Sequence, residues 1–445
     1  MKLNLWSPLP PSPSGIADYV AETLPLLTRR FELTAVVEEP GAVGSSWTPL
    51  VPLRTPAEAP PADLDLYQIG NSASHAFVYR AALARPGVVV LHEWSLHHLV
   101  LHETVERGDR ATYLREMRRA HGEAGTFVGR QVARGLGGDL LPAMFPLNDR
   151  LLESSLGVVA LTEFVRSRAA RRLPGRPVLH LPHHLALPFE RLPSREQARA
   201  ALGLPKDALL VVAPGLATAT KGLDVAVRAI ARLRERHPRL QLVVAGDVDA
   251  RLPLREWARA AGVVDHFRLT GRLALPDFVR SLCAADVVLS LRFPTHGEIS
   301  GALVRALGVS RPVLVTAGTP AAQEFPEGVV VPVDPGPTQE DELSHFLDRL
   351  LSDQDLRERI SRLAGAHVRE RHDLAESVAR LGAFLEDVSA RKTPLLAALE
   401  TDRAGEGTLL GYLVEEARWG ARDLGLPGLP LGLEPLLKGL IQGNA

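Results

Sequence analysis

The chain has a single cysteine, Cys283, in 445 residues. One thiol excludes intramolecular disulfides and any metal site built on several thiolates. Its place in an apolar run at helical spacing predicts a small buried side chain. A surplus of either charge is also lacking. Lys and Arg total 51 against 52 Asp and Glu, a formal net charge of −1. A general nucleic-acid binder would show a basic excess, so none is expected as a partner. No apolar run approaches membrane-spanning length. The N-terminus enters a strand-like stretch, Lys2 to Trp6, with no charged segment leading into a long apolar one. That pattern excludes a signal peptide and makes a cytoplasmic protein the expectation. Short-period repeats and disordered tracts are absent as well.

What is present is alternation. Strand-like runs at Lys2–Trp6, Phe31–Val37, Leu64–Ile69, Gly87–Leu91, Gly157–Leu161 and Pro177–Leu181 are separated by helical patterns. Residues 40 to 62, rich in Pro, Ala and Ser, read as a surface excursion. Prolines between 182 and 206 place a linker there, with a short helical pattern at Arg195–Leu202. A second alternating run follows: strands at Leu209–Ala213, Gln241–Ala245, Phe267–Thr270, Val287–Leu291 and Pro312–Thr316, with helices from Leu254, Pro276 and Ser300. Such alternation predicts two doubly wound parallel-sheet domains. The boundaries expected are 1–190, 191–375 and a helical segment 376–445, with one helix pattern near Leu409–Trp419. Ligands of open α/β sheets bind outside the carboxyl ends of the strands, which places the expected site in a cleft between the domains.

The second domain opens on its most informative stretch, Leu209 to Asp224. An apolar strand leads through Pro214–Thr220 to Lys221-Gly222 and then to apolar residues at helical spacing. Strand, small-residue loop and helix with a cation at its start can hold phosphate. The order is neither a P-loop nor a dinucleotide fingerprint. A lone lysine there could equally be a solvated cation. Three further segments fall at strand ends: Ala245-Gly246-Asp247, Thr270-Gly271-Arg272-Leu273, and Arg292 to Gly301. Gly246 and Gly271 would let a flat base lie against backbone. Glu298 would accept hydrogen bonds from sugar hydroxyls, and Ser300 is an expected helix N-cap with open amides at Gly301 and Ala302. Together these suit a nucleotide-sugar, with a UDP- or GDP-sugar as donor substrate and no cofactor.

This order of motifs resembles the retaining GT-B glycosyltransferases of family 4 (glycosyltransferase group 1) over roughly residues 1 to 388. A bacterial subgroup is closer still, on Pro10 to Tyr19, Leu91-His92-Glu93 and His97-His98-Leu99. The resemblance implies a GT-B fold, two Rossmann-like domains facing across a cleft, and metal-independent transfer of a sugar to an acceptor hydroxyl with retention. It implies roles in cell-surface polysaccharide, glycolipid or other glycoconjugate synthesis, with a saccharide or lipid-linked acceptor. It also implies that Lys221 binds the donor diphosphate, that His92 meets the transferred sugar, and that the loop at Gly15 closes over the diphosphate or the acceptor hydroxyl. Only a residue without a side chain allows that last approach.

The chain departs from the family at two points. Leu216 stands where an arginine usually contacts the diphosphate, and Arg305 where a second glutamate grips the ribose. Arg292 or Arg305 could supply the missing cation, or either could be a surface residue. Those departures keep two alternatives open: a non-catalytic partner subunit, and a nucleotide-sugar hydrolase or epimerase. The spacing of His98 and His102 admits a metal site, but no further ligand is evident, so none is expected. Arginines between Arg107 and Arg134 are diluted by carboxylates, which favours a solvated mixed face and leaves peripheral membrane contact, at the inner face, and oligomeric state open.

Overall fold

The computed structural model describes residues 1–44 and 47–403, with Ala417 and Ala421 beyond them. The chain divides into two compact units: Met1–Leu181 with the segment from Val378 onward, and Pro182–Ser377.

The first unit holds seven strands: β1 (Lys2–Trp6), β2 (Glu32–Val36), β3 (Leu53–Arg54), β4 (Leu64–Ile69), β5 (Val88–Leu91), β6 (Gly157–Ala160) and β7 (Val178–His180). They lie in the order β3-β2-β1-β4-β5-β6-β7, every pair parallel. All four residues of β5, Val88 to Leu91, are buried. Continuous apolar content is what a strand covered by helices on both faces requires. The order reverses between β1 and β4. The loops leaving those two strands therefore part, as at the ligand-binding crevice of open sheets. The helix Gly15–Leu27 starts there, its Ser14 hydroxyl accepting from the Ile16 amide at 3.2 Å.

The second unit repeats the design with β8 (Leu209–Pro214), β9 (Leu240–Ala245), β10 (Phe267–Leu269), β11 (Val287–Ser290), β12 (Val313–Thr316) and β13 (Val331–Val333). Their order is β10-β9-β8-β11-β12-β13, again parallel. The reversal falls between β8 and β11, so the segments that follow them, Gly215–Lys221 and Leu291–Ser300, leave the sheet side by side.

Two expectations change, and the helices after residue 376 do return to the first unit. Residues 182–206 are not a free linker. The helix Arg195–Ala201 is fixed to the second unit by Asp286, which is 4% exposed. That carboxylate accepts from Arg195 Nη1 at 2.6 Å, Arg199 Nη2 at 2.7 Å and the Leu210 amide at 2.8 Å. Two short edge strands, β3 and β13, were not anticipated; β3 lies inside the stretch read as a surface excursion. The helices Leu374–Ala390 and Lys392–Arg403 join the first unit from Val378 on. There Arg30 Nη2 bonds Glu386 at 2.7 Å, and Lys392 Nζ donates to the Asp63 carbonyl at 2.7 Å. The helix pattern near Leu409–Trp419 lies outside the described residues apart from Ala417. Among the described residues no helix is long and apolar enough to cross a membrane.

Removing a carboxylate that compensates buried arginine leaves an unpaired charge. Asp286→Ala is therefore expected to lower the unfolding free energy by about 3–5 kcal/mol. Urea unfolding of the variant checks this, and an unchanged midpoint would show that the three bonds carry no net stability.

Candidate functional site

The site in the second unit is built by two loops that touch. Past the end of β8 and β9, pairing continues: the Gly215 amide donates to the Ala245 carbonyl and the Ala217 amide to the Asp247 carbonyl, both at 2.8 Å. Gly215 turns with φ +79°. Gly246 faces it so closely that a Cβ at 246 would sit 2.5 Å from the Gly215 carbonyl oxygen. The backbone therefore demands glycine at 246, independently of any base. Leu216, where the resemblance puts an arginine, is 54% exposed.

Lys221 does not open the helix as the sequence suggested. It ends a single 3-10 turn, Ala219–Lys221, and Gly222 at φ +59° precedes the helix Leu223–Leu233. Its side chain turns back, and Nζ donates to the Pro214 carbonyl at 2.7 Å. Burial, and then the positive charge of Arg292, push the Lys221 ammonium down to about 7.

Beyond β11 the chain is tied to the same place. The Phe293 amide donates to the Thr220 carbonyl and the Arg292 amide to Thr316 Oγ1, both at 2.8 Å. Arg292 Nη1 bonds Glu298 Oε1 at 2.6 Å. Glu298 Oε2 accepts from the His296 amide at 2.7 Å and Thr295 Oγ1 at 3.1 Å. Burial alone would raise this carboxyl. The Arg292 charge and the hydrogen bonds outweigh it and hold the carboxyl below its ordinary range. Much of the acceptor capacity assigned to sugar hydroxyls is thus spent on shaping the loop.

Lys221, Arg292 and Ser300 line one pocket with Pro214, Leu289 and Leu291. The structure thus brings together three of the sequence-predicted residues, with Glu298 bonded to one of them. Ser300 occupies the N-cap position of the helix Gly301–Gly308, but its side chain makes no capping hydrogen bond. At Gly301 a Cβ would come within 2.9 Å of Arg305 Nη1 and 3.0 Å of His183 Nε2. Arg305 is 8% exposed, so the surface alternative falls away; its guanidinium turns toward the amino end of its own helix. Gly271, at φ +68°, has open space about it, and the Arg272 amide is held by Asp247 Oδ1 at 2.9 Å. Gly271, Arg272 and half-buried Leu273 follow edge strand β10 and do not line the Lys221 pocket.

In the first unit His92 follows β5 and is buried. Its Nε2 lies 2.7 Å from Gln68 Oε1, and Tyr19 meets its ring edge-on at 4.9 Å between centroids. Glu93 accepts from the Asn71 amide at 3.2 Å. Gln68 and Gly70 were not singled out in the sequence. A Cβ on Gly70 would strike Ile16 Cδ1, whereas nothing lies near the corresponding point on Gly15. The space around Gly15 is open, so its neighbours do not themselves require glycine there. His97 bonds the Phe145 carbonyl at 2.6 Å and Tyr113 at 3.0 Å, and His102 bonds Glu106 at 2.8 Å. Among the described residues no three His, Cys, Asp or Glu side chains group as a metal set.

Residues 194–366 match the family described as Glycosyl transferases group 1. Alpha-D-kanosaminyltransferase of Streptomyces kanamyceticus is 26% identical over 247 residues, which is 53% of this chain and 62% of that protein. A D-inositol 3-phosphate glycosyltransferase of Saccharomonospora viridis is 34% identical over 152 residues, 31% of this chain and 35% of that protein. The chain thus matches less than two thirds of either relative's length. Among solved structures, Anabaena Alr3699/HepE in complex with UDP and glucose aligns with a TM-score of 0.61 at 16% identity, over 87% of this chain and 100% of that one. At that identity the likeness is one of fold: two Rossmann-like units of the GT-B kind.

The two glycines separate under substitution. Gly246→Ala forces the touching loops apart and is expected to cost about 1–3 kcal/mol. Gly15→Ala, in open space at a helix start, is expected to change stability by less than about 1 kcal/mol. Thermal unfolding of both variants checks the contrast, and equal losses would refute the loop contact.

Proposed function

We propose that this chain, whose residues 194–366 carry a group 1 glycosyl transferase domain, moves a glycosyl group from a nucleoside diphosphate sugar to an acceptor hydroxyl with retention at the anomeric carbon. The observation that carries the reading is the shared pocket of Lys221, Arg292 and Ser300 at the ends of β8 and β11. In the reaction the bond from the anomeric carbon to the diphosphate oxygen breaks and a bond to the acceptor oxygen forms. The acceptor proton passes to the leaving phosphate. Negative charge develops on the diphosphate, and pre-placed cations in a desolvated site stabilise it most where it appears. Protein cations do the neutralising in this reading, without a metal.

Lys221 is the primary diphosphate cation. Arg292 spends one of its five N–H donors on Glu298, and the rest remain to meet phosphate oxygens. Glu298 therefore orients Arg292, and its remaining acceptor capacity serves a sugar hydroxyl. The amides at the start of the helix Gly301–Gly308 add donors at the positive end of its dipole. Gly215, Gly246 and Gly271 with Arg272 and Leu273 shape the donor side, and His92 and the Gly15 loop are the first unit's assigned contacts to sugar and acceptor. The acceptor class is a saccharide or lipid-linked sugar. The neighbour's complex with UDP and glucose makes UDP the first nucleotide to test.

Calorimetric titration with UDP, GDP, ADP and dTDP, without added metal, is expected to show binding of one of them. Lys221→Ala is expected to weaken it at least about tenfold, the scale of one charge-assisted contact. Failure of all four to bind would bring forward the non-catalytic subunit, which Leu216 in place of an arginine favours.

Proton linkage adds a second test. A diphosphate raises the Lys221 pKa from about 7, so binding takes up a proton when the free group is deprotonated. Affinity is then greatest below about pH 7 and falls toward about pH 9. Lys221→Arg, whose charge does not titrate in that range, is expected to flatten the profile.

A further inference from the structure

Two buried polar atoms in the loop after β4, Asn71 Nδ2 and His75 Nε2, have no hydrogen-bond partner among the described residues. Both side chains are enclosed: Asn71 is 8% exposed and His75 1%. Native chains seldom leave such atoms unmatched, so each calls for a partner.

Their neighbours fix what each atom can do. The Leu99 amide donates to Asn71 Oδ1 at 3.1 Å. A backbone N–H only donates, so the carboxamide turns its oxygen to Leu99 and holds Nδ2 as a donor in one direction. The Asn71 amide in turn donates to Glu93 Oε1 at 3.2 Å, which anchors the loop. His75 Nδ1 lies 2.9 Å from the Gln68 carbonyl oxygen. A carbonyl only accepts, so Nδ1 carries the proton and Nε2 presents a lone pair. Burial keeps this ring neutral by pushing its pKa down to about 4. The loop thus offers one fixed donor and one fixed acceptor, and neither is charged.

These atoms sit where the strand order of the first unit reverses. His75 Nε2 lies 3.1 Å from the point that a Cβ on Gly70 would take, and Ile16 Cδ1, from the first turn of the helix after β1, closes over the same point. Ile16 is half-buried, and the end of its flexible side chain can turn aside to admit a ligand. Asn71 is tied to Glu93, which follows β5. The three segments joined by these contacts, 7–16, 70–75 and 92–96, contain no lysine or arginine, and Glu93 adds a carboxylate. The second unit has the opposite make-up, with Lys221 and Arg292 beside its own strand reversal. Phosphate is met by guanidinium and ammonium groups. A hydroxyl, which donates and accepts at once, suits a carboxamide N–H and an imidazole lone pair.

We propose that loop 70–75 binds an uncharged polyol or sugar, Asn71 Nδ2 donating to its hydroxyls and His75 Nε2 accepting from them, and that the site selects against phosphorylated ligands. Its role as the acceptor site rests on the transfer reading above, whereas the binding itself does not.

The test is saturation-transfer difference NMR on the full chain, with glucose, mannose and myo-inositol set against glucose 6-phosphate, mannose 6-phosphate and myo-inositol 1-phosphate. At least one neutral probe is expected to receive saturation, and its phosphorylated counterpart to receive less. Asn71→Asp keeps an oxygen for the Leu99 amide and loses the donor. His75→Asn keeps an N–H for the Gln68 carbonyl and loses the distal acceptor. Each is expected to weaken binding of the neutral probe about tenfold, the effect of one buried polar atom left unmatched. Unchanged thermal unfolding of Asn71→Asp separates lost binding from lost folding. Calorimetric titration of both variants with UDP, GDP, ADP and dTDP is expected to match the parent chain, because the diphosphate cations lie in the second unit. Three outcomes overturn the proposal: no neutral probe binds, the phosphorylated counterpart binds equally well, or neither variant weakens binding, which would assign the two atoms to solvent. If no nucleoside diphosphate binds while the neutral probe is still held through Asn71 and His75, the binding site stands and the transfer reading falls.

Discussion

Two cations are held near one another at the carboxyl end of a parallel sheet, and the local structure of the second unit is organised around that arrangement. Burial depresses the Lys221 ammonium, and the charge of Arg292 depresses it further. A like-charge pair in a partly desolvated pocket persists only where the surrounding chain fixes it. Here the fixing is explicit. Pro214 offers its carbonyl to Lys221, Glu298 takes one nitrogen of Arg292, and the Thr220 carbonyl holds the Phe293 amide. An anion would relieve the repulsion without rearranging the frame, because the donors are already in place.

The strand order explains why these residues meet although Lys221 and Arg292 are far apart in sequence. The reversal between β8 and β11 makes them neighbours in the sheet while β9 and β10 go the other way. The first unit has the corresponding reversal between β1 and β4, and Gly70, Ile16, Gln68 and His92 gather near it. The two sites differ in what fixes the glycine: Gly246 lies against the Gly215 backbone, whereas Gly70 lies against the end of the Ile16 side chain, which can turn aside.

Much of this was legible from the sequence. Parallel strands buried on both faces announce themselves as apolar runs, and the loop residues that follow them can be named directly. Lys221, Arg292 and Ser300 were found that way. Side-chain partnership was not legible. Nothing local links Asp286 to Arg199 or Gln68 to His92. Those pairings depend on which strands become neighbours and on helix direction, both settled only by the assembled sheet. The edge strands β3 and β13 escaped because Leu53–Arg54 lies in a proline-rich stretch and Val331–Val333 has a proline at its centre, which argues against a strand. The prolines between 182 and 206 resembled a linker because the ion pairs that dock Arg195–Ala201 are made with residues about ninety positions away.

The second unit is an unbroken stretch of chain, Pro182 to Ser377, and the first is not. During synthesis, the strands β1 to β7 leave the ribosome well before the helix that completes their unit. Arg30 must wait for Glu386, a partner 356 residues downstream. At typical elongation rates of about 5–20 residues per second, that interval is tens of seconds. Most of that interval goes to making the inserted unit, whose last residue, Ser377, precedes Glu386 only shortly, so the second unit has its whole chain before the first does. Excision has the same asymmetry: cutting at the two crossings releases the second unit whole, while a chain ended at Leu181 would lack the helix that packs on the first.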